Sequence, residues 1–348
     1  MRAKALTAVA VLLAGAGSSA HPPAAPPQLG AAPAGLVVGS GNFFSPIVTD
    51  LDHAIAFYRD GLGLDVSGTP ANADANPALR NMFGLPDARI RWSIARPPAM
   101  RSGVEIVEIR KADTSPAERR IQDGGAFTFI VLVRDIDAAF ARIKPLGAPI
   151  VTAGGAPVVV GAGKTRAVIV KDPDGHFVEL AQLDPLPQTT APESANVIGV
   201  RVRLTVDDAQ ALHLYRDVLG LQEGEHGSFN RNDAVMAMFG MKGGQYRLSS
   251  VQVPGTGLRI EFIDFKGVDR RRVRARIEDA GSTRLQLQVR DVDAAIGALR
   301  GAGGMVVSTG GTAVDLPGRG GATTKVAIVR DPNNLFLVLL QAAPPRTP

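Results

Sequence analysis

Phe57-Tyr58-Arg59-Asp60-Gly61-Leu62-Gly63-Leu64 recurs as Leu214-Tyr215-Arg216-Asp217-Val218-Leu219-Gly220-Leu221, at an offset of 157 residues. Other blocks repeat around it in the same order. Asn81-Met82-Phe83-Gly84-Leu85 returns as Ala237-Met238-Phe239-Gly240-Met241 at 156. Val133-Arg134-Asp135-Ile136-Asp137-Ala138-Ala139 returns as Val289–Ala295, also at 156, and Val170-Lys171-Asp172-Pro173 as Val329–Pro332 at 159. Near-constant offsets mark a duplication. Two copies make a tandem pair of domains, and 348 residues suit that division.

Each copy carries a weaker echo within itself. Ile47–Asp52 leads into a helical segment ending Gly61-Leu62-Gly63, and Leu132–Asp137 into another ending Leu146-Gly147. β-branched residues run up to an Asp suited to cap a helix. Apolar residues then recur at helical spacing (Ile136, Ala139, Phe140, Ile143), and a Gly fits the left-handed stop. Short strands follow at Ile90–Ala95, Val104–Ile109 and Ala167–Val170, and at Phe177–Leu180 after the turn Asp172-Pro173-Asp174-Gly175. The unit is strand, helix, several strands, four times over.

These stretches resemble the vicinal oxygen chelate superfamily, the glyoxalase, bleomycin-resistance and extradiol-dioxygenase group. The carriers are Thr49–Leu64, Leu204–Leu221, Val133–Ala148, Val289–Gly304 and Lys171–Leu180. The resemblance implies an α+β fold of two tandem domains, residues 41–185 and 195–343, joined by a linker at 186–194. Each domain is expected to pair two βαβββ modules around a curved-sheet cup.

The resemblance also implies a divalent cation on four side chains, one from each module's first strand, often His, and one from its last strands, usually Glu. Such an ion, with open positions, binds neighbouring substrate oxygens as a Lewis acid. Seven residues before each helix-opening Asp (Asp50, Asp135, Asp207, Asp291) stand Phe43, Thr128, Val200 and Arg284. The carboxylate positions fall on Glu108 and Glu179 in the first domain, and on Glu261 and Val338 in the second. No imidazole is offered, and a guanidinium repels a dication and suits an anion. The expected ligand-binding residues are therefore Phe43, Glu108, Thr128, Glu179, Glu261 and Arg284, with no metal and no other cofactor. The alternative is a lyase or dioxygenase in which Glu108 and Glu179, completed by water, hold a divalent metal in the first domain or act as acid and base. Of the five histidines, His21 lies in the tether, His53 and His213 in first helices, and His226 in an irregular stretch, while His176 is expected to be exposed after its turn.

Composition narrows the setting. The chain is 45% hydrophobic and 20% charged and has no Cys, which excludes disulfides, thiolate zinc sites and a cysteine nucleophile. Met1–Ala20 reads as a signal peptide: Arg2 and Lys4, an apolar run, then Ser18-Ser19-Ala20. The expected destination is periplasmic or extracellular, without a membrane after cleavage. Removal leaves 328 residues and a formal charge of +3. Residues 21–40 are expected to form a disordered Pro/Ala-rich tether, and 344–348 a tail. Arg270–Arg276 is the densest basic run, but flanking acids and the absence of aromatics favour a solvated linker over nucleic acid. Gly154-Gly155, Gly161–Gly163 and Gly318–Gly321 lack a phosphate-loop setting. Met82-Phe83 and Met238-Phe239 read as packing, and Trp92 as a core or rim residue. The expected partner is a small organic molecule, with a homodimer left open.

Overall fold

The computed structural model describes residues 35–341 except 67, 73–75, 112, 162, 207–209 and 318–322. The signal peptide, His21, Asp207, Gly318–Gly321 and the tail lie outside the described residues. A short strand, β1 (Val37–Ser40), precedes the first module and pairs antiparallel with a strand of the fourth. β1 thus lies within the stretch that the sequence assigns to the tether.

The first module contains β2 (Ser45–Val48), α1 (Leu51–Ala56), β3 (Asp65–Val66), β4 (Ala71–Asn72), α2 (Pro77–Met82), β5 (Arg89–Arg96) and β6 (Val104–Arg110). The second has β7 (Phe127–Val133), α3 (Ile136–Ile143), β8 (Val158–Val159), β9 (Arg166–Lys171) and β10 (Phe177–Gln182). The third has β11 (Val197–Val206), α4 (Gln210–His213), β12 (Gln222–His226), α5 (Asp233–Met238), β13 (Gln245–Gln252) and β14 (Arg259–Lys266). The fourth has β15 (Thr283–Val289), α6 (Val292–Gly301), β16 (Met305–Val306), β17 (Val314–Pro317), β18 (Thr323–Arg330) and β19 (Phe336–Gln341).

Local chemistry sets these elements as the sequence anticipates. Asp50, Asp135 and Asp291 are N-caps whose carboxylates accept from backbone amides of the first turn. Gly147 closes the helical segment after α3 at φ 71°, where a side chain would be strained. The repeated Phe57–Gly61 and Leu214–Val218 segments continue their helices as π-turns, with Leu62 N–H reaching the Phe57 carbonyl at 3.0 Å. Tyr58 donates to Asp172 and Tyr215 to Asp331, both at 2.9 Å. The two motifs that mark each repeat therefore touch: the tyrosine of one module grips the aspartate turn of the next.

There are two curved sheets, but each draws one module from each repeat. One runs β16-β18-β19-β15-β2-β6-β5-β3 and joins the fourth module to the first. The other runs β12-β13-β14-β11-β7-β10-β9-β8 and joins the third to the second. Their central pairs are antiparallel, with Arg284 beside Ser45 and Arg203 beside Thr128. One apolar core covers the helix-bearing faces of both sheets and includes Phe43, Phe44, Phe129, Val131, Leu204 and Leu285. The opposite face of each sheet, its cup face, carries a separate smaller core.

Candidate functional site

On the cup face of the second sheet, β11 carries Arg203, β7 Thr128, β10 Glu179 and β14 Glu261. Strand register brings them together: Arg203 lies opposite Thr128 on one side and Glu261 on the other. Arg203 Nη1 donates to Glu179 Oε2 at 2.5 Å. Its Nε and Nη2 donate to Glu261 Oε2 at 3.0 and 2.9 Å. Arg201 reaches the other oxygen of Glu261 at 3.5 Å. All three members of the central triad are buried, Arg203 at 1% exposure, Glu179 at 0% and Glu261 at 3%. Burial alone would depress the guanidinium, yet the two carboxylates hold it firmly protonated. Burial pushes Glu179 up despite Arg203, and its Oε1 has no hydrogen-bond donor among the described residues.

The first sheet repeats the plan with one acid fewer. Offsets of 156 to 159 residues equate Ser45, Glu105, Arg284 and Val338 with Arg203, Glu261, Thr128 and Glu179. The arginine moves to the other strand of the central pair and again faces a hydroxyl. Arg284 Nη2 donates to Glu105 Oε2 at 3.1 Å, and Gln286 Nε2 to the same oxygen at 2.8 Å. Burial lowers the Arg284 pKa against the pull of Glu105, and its Nε has no hydrogen-bond partner among the described residues.

Each cup is lined by the repeated Met-Phe of its own sheet. Arg284 sits 4.6 Å from the Phe83 ring centroid and Arg203 5.5 Å from that of Phe239, close enough for cation–π attraction. The following glycines make the insertion possible. A Cβ on Gly84 would stand 2.3 Å from the Val307 carbonyl oxygen, and one on Gly240 2.4 Å from that of Val151. Ser308 and Thr152 hydroxyls donate to the Met82 and Met238 carbonyls. The packing reading of both Met-Phe pairs matches this placement, and Trp92 lies partly buried on the cup face beside Val107.

Several sequence expectations need correction. Glu108 and Glu179 lie in different sheets, so they hold nothing jointly. Glu108 Oε2 accepts from Leu51 N–H at 3.0 Å and from Arg91, and its other oxygen pairs with Arg110. It therefore caps α1 on the helix side. The first module's cup acid is Glu105, three residues earlier. Phe43 belongs to the shared core, stacked on Phe129 at 5.9 Å, and Val200 packs against that core. The cup positions in their place are Ser45 and Arg203. Thr128, Glu179, Glu261 and Arg284 do face a cup. His176 is buried rather than exposed: Nδ1 contacts Asp172 at 2.9 Å and Nε2 the Ser282 carbonyl at 3.1 Å. For Glu108 and Val200 the missed signal is parity, whereas Phe43 lies ahead of β2. Alternate residues of a strand face opposite ways, so a count that errs by an odd number selects the wrong face.

At the edge of the second sheet, Glu225, His226, Asn230, Tyr246 and Leu248 help line a cavity of about 210 Å³. Tyr246 and Leu248 belong to the cup-face core, and the Tyr246 hydroxyl has no hydrogen-bond partner among the described residues. Burial raises its pKa to about 12.

Paired βαβββ modules around two curved sheets define the class of fold. The chain belongs to the Glyoxalase/Bleomycin resistance protein/Dioxygenase superfamily, whose family model matches residues 42–180 and 199–339. Among solved structures it is similar to glyoxalase I from Zea mays, at 19% identity and TM-score 0.58, covering 86% of this chain and 92% of that one. It is also similar to a putative dioxygenase from Bacillus subtilis, at 14% identity and TM-score 0.52, covering 89% and 87%. These likenesses concern the fold. No curated protein matches the chain.

The superfamily implies a divalent cation at the cup centre, and the residues here do not fit one. A cation between Glu179 and Glu261 would have to displace a buried guanidinium already bonded to both. In the first sheet the corresponding set is one carboxylate, one hydroxyl, one guanidinium and Val338. Among the described residues no group of three or more His, Cys, Asp or Glu is placed to hold a metal.

Proposed function

We propose that this chain is an exported binding protein of the superfamily that holds a small organic molecule in a cup without a metal. One observation carries the metal-free reading: a buried guanidinium, that of Arg203, already lies between Glu179 and Glu261 and donates to an oxygen of each. The ligand occupies the cavity beside Tyr246, whose unpaired hydroxyl suits an acceptor oxygen or nitrogen, while Leu248 supplies apolar contact. A lyase or dioxygenase built on Glu108 and Glu179 draws no support from an arrangement that puts the two acids in different sheets.

The test is native mass spectrometry, with elemental analysis, of mature protein isolated from its exported compartment. A co-purifying organic molecule whose binding weakens in Tyr246→Phe, together with substoichiometric metal, supports the proposal. Stoichiometric divalent metal that disappears in Glu179→Gln or Glu261→Gln would overturn it.

A further inference from the structure

The basic run Arg270–Arg276 is absorbed only in part by the fold. Arg270 binds backbone carbonyls of Gln122, Val206 and Phe265 and pairs with Asp264. Arg276 pairs with Asp279 and Asp113. Between them, the Arg272 and Arg274 side chains make no hydrogen bond or ion pair among the described residues, although the segment is rich in charge. Both line a concavity of about 360 Å³, together with Pro332 and Asn334 of the turn between β18 and β19. Arg330 stands at the end of β18, its guanidinium reaching the Met305 sulfur at 4.0 Å. Burial and the nearby charge of Arg274 both depress its pKa.

The molecule contains its own control. Arg120 N–H caps onto Asp123 Oδ2 at 2.9 Å, and Arg276 N–H onto Asp279 Oδ2 at 2.8 Å, which fixes the correspondence between the two linkers. By that register, Pro116 and Glu118 occupy the places of Arg272 and Arg274. The first repeat builds the same linker with no cation at either place. The two arginines are therefore not required by the fold. Placing like charges around a hollow without a carboxylate costs energy unless an anion enters. The planar guanidinium is also suited to tetrahedral oxyanions through paired N–H donors.

We propose that Arg272 and Arg274, with the turn Pro332–Asn334, form a site for an anionic phosphate group, free or carried on a lipid headgroup. The site lies outside both cups and stands independently of the ligand proposed there.

Calorimetric titration of the full chain with inorganic phosphate, at low and constant chloride, is expected to show saturable binding. The double change Arg272→Pro with Arg274→Glu copies the first repeat and should weaken binding at least about tenfold, the loss of one good charge-assisted contact. Arg272→Gln with Arg274→Gln gives the same reading without a new proline. Arg216→Gln, at an arginine already paired with Asp217, should leave affinity unchanged. Vesicles of phosphatidylglycerol in phosphatidylcholine separate the sources. Co-sedimentation that phosphate competes away and the double variants lack assigns a headgroup, whereas saturable phosphate binding without co-sedimentation assigns the free anion. No saturable binding of phosphate, or equal affinity in the folded double variants, overturns the proposal.

Discussion

The two cup centres are built to one plan and differ in charge balance. In the second sheet one guanidinium serves two buried carboxylates; in the first, one guanidinium serves a single, partly exposed one, and Val338 replaces the other acid. Duplication supplied equal scaffolds, and divergence left unequal electrostatics. The second centre holds together only while all three members are present, because each buried charge depends on the others. The first is more tolerant, since water reaches Glu105.

The largest effect is expected from breaking the triad. Arg203→Met leaves Glu179 and Glu261 buried and unpaired and should cost about 3–5 kcal/mol in urea unfolding. If the guanidinium stands in for a cation, millimolar Mn(II) should raise the melting temperature of that variant and not that of the wild type. An equal response in both would break the comparison.

The turns after β9 and β18 extend the contrast to pH. Asp172 is held below its ordinary range: burial opposes ionisation, but the His176 contact and further hydrogen bonds outweigh it. Asp331, with Leu335 where His176 would be, is pushed by burial from 3.8 to about 6. A rise of that size corresponds to roughly 3 kcal/mol, lost as pH rises from about 4 to about 6, because the native state binds the proton more tightly. Burial opposes protonation of His176, but Asp172 and the Ser282 carbonyl outweigh it and raise the His176 pKa above 6.5. Its contribution is full below 6.5 and fades as pH climbs through the folded value. In His176→Leu the decline above 6.5 should vanish and the acid-side decline should deepen, as Asp172 comes to behave like Asp331. Melting temperatures across this pH range measure both.

Arg284→Met should cost less than its counterpart, about 1–3 kcal/mol, because Glu105 keeps solvent, Ser45 and Gln286. A loss equal to that of Arg203→Met would show that the cups are equivalent. The smallest effect belongs to Glu108→Gln, about 1 kcal/mol from a weakened cap, with no change in ligand binding. Altered binding in this variant would return Glu108 to a cup.

Much of the fold was legible because duplication writes itself into sequence. The Asp caps, the helical spacing in Ile136–Ile143 and the strands after them all form as read. The site was legible only in part. Thr128, Glu179, Glu261 and Arg284 follow from their distance to motifs, whereas Glu108 and Val200 are three residues, an odd step, from the cup positions, and Phe43 lies two residues before Ser45, ahead of β2. His176 reads as a turn residue because one of its partners, Ser282, lies 106 residues away.

Local sequence determined the four βαβββ units, their order and the absence of imidazole at the cup centres, since propensity, capping and periodicity act over a few residues. The tertiary structure alone decided that the first module shares a sheet with the fourth and the second with the third. That choice rests on backbone pairing between β2 and β15 and between β7 and β11, contacts between segments distant in the chain. It also put Arg203 between Glu179 and Glu261, because only the assembled sheet sets β14 beside β11 and brings β10 to the far side of β7.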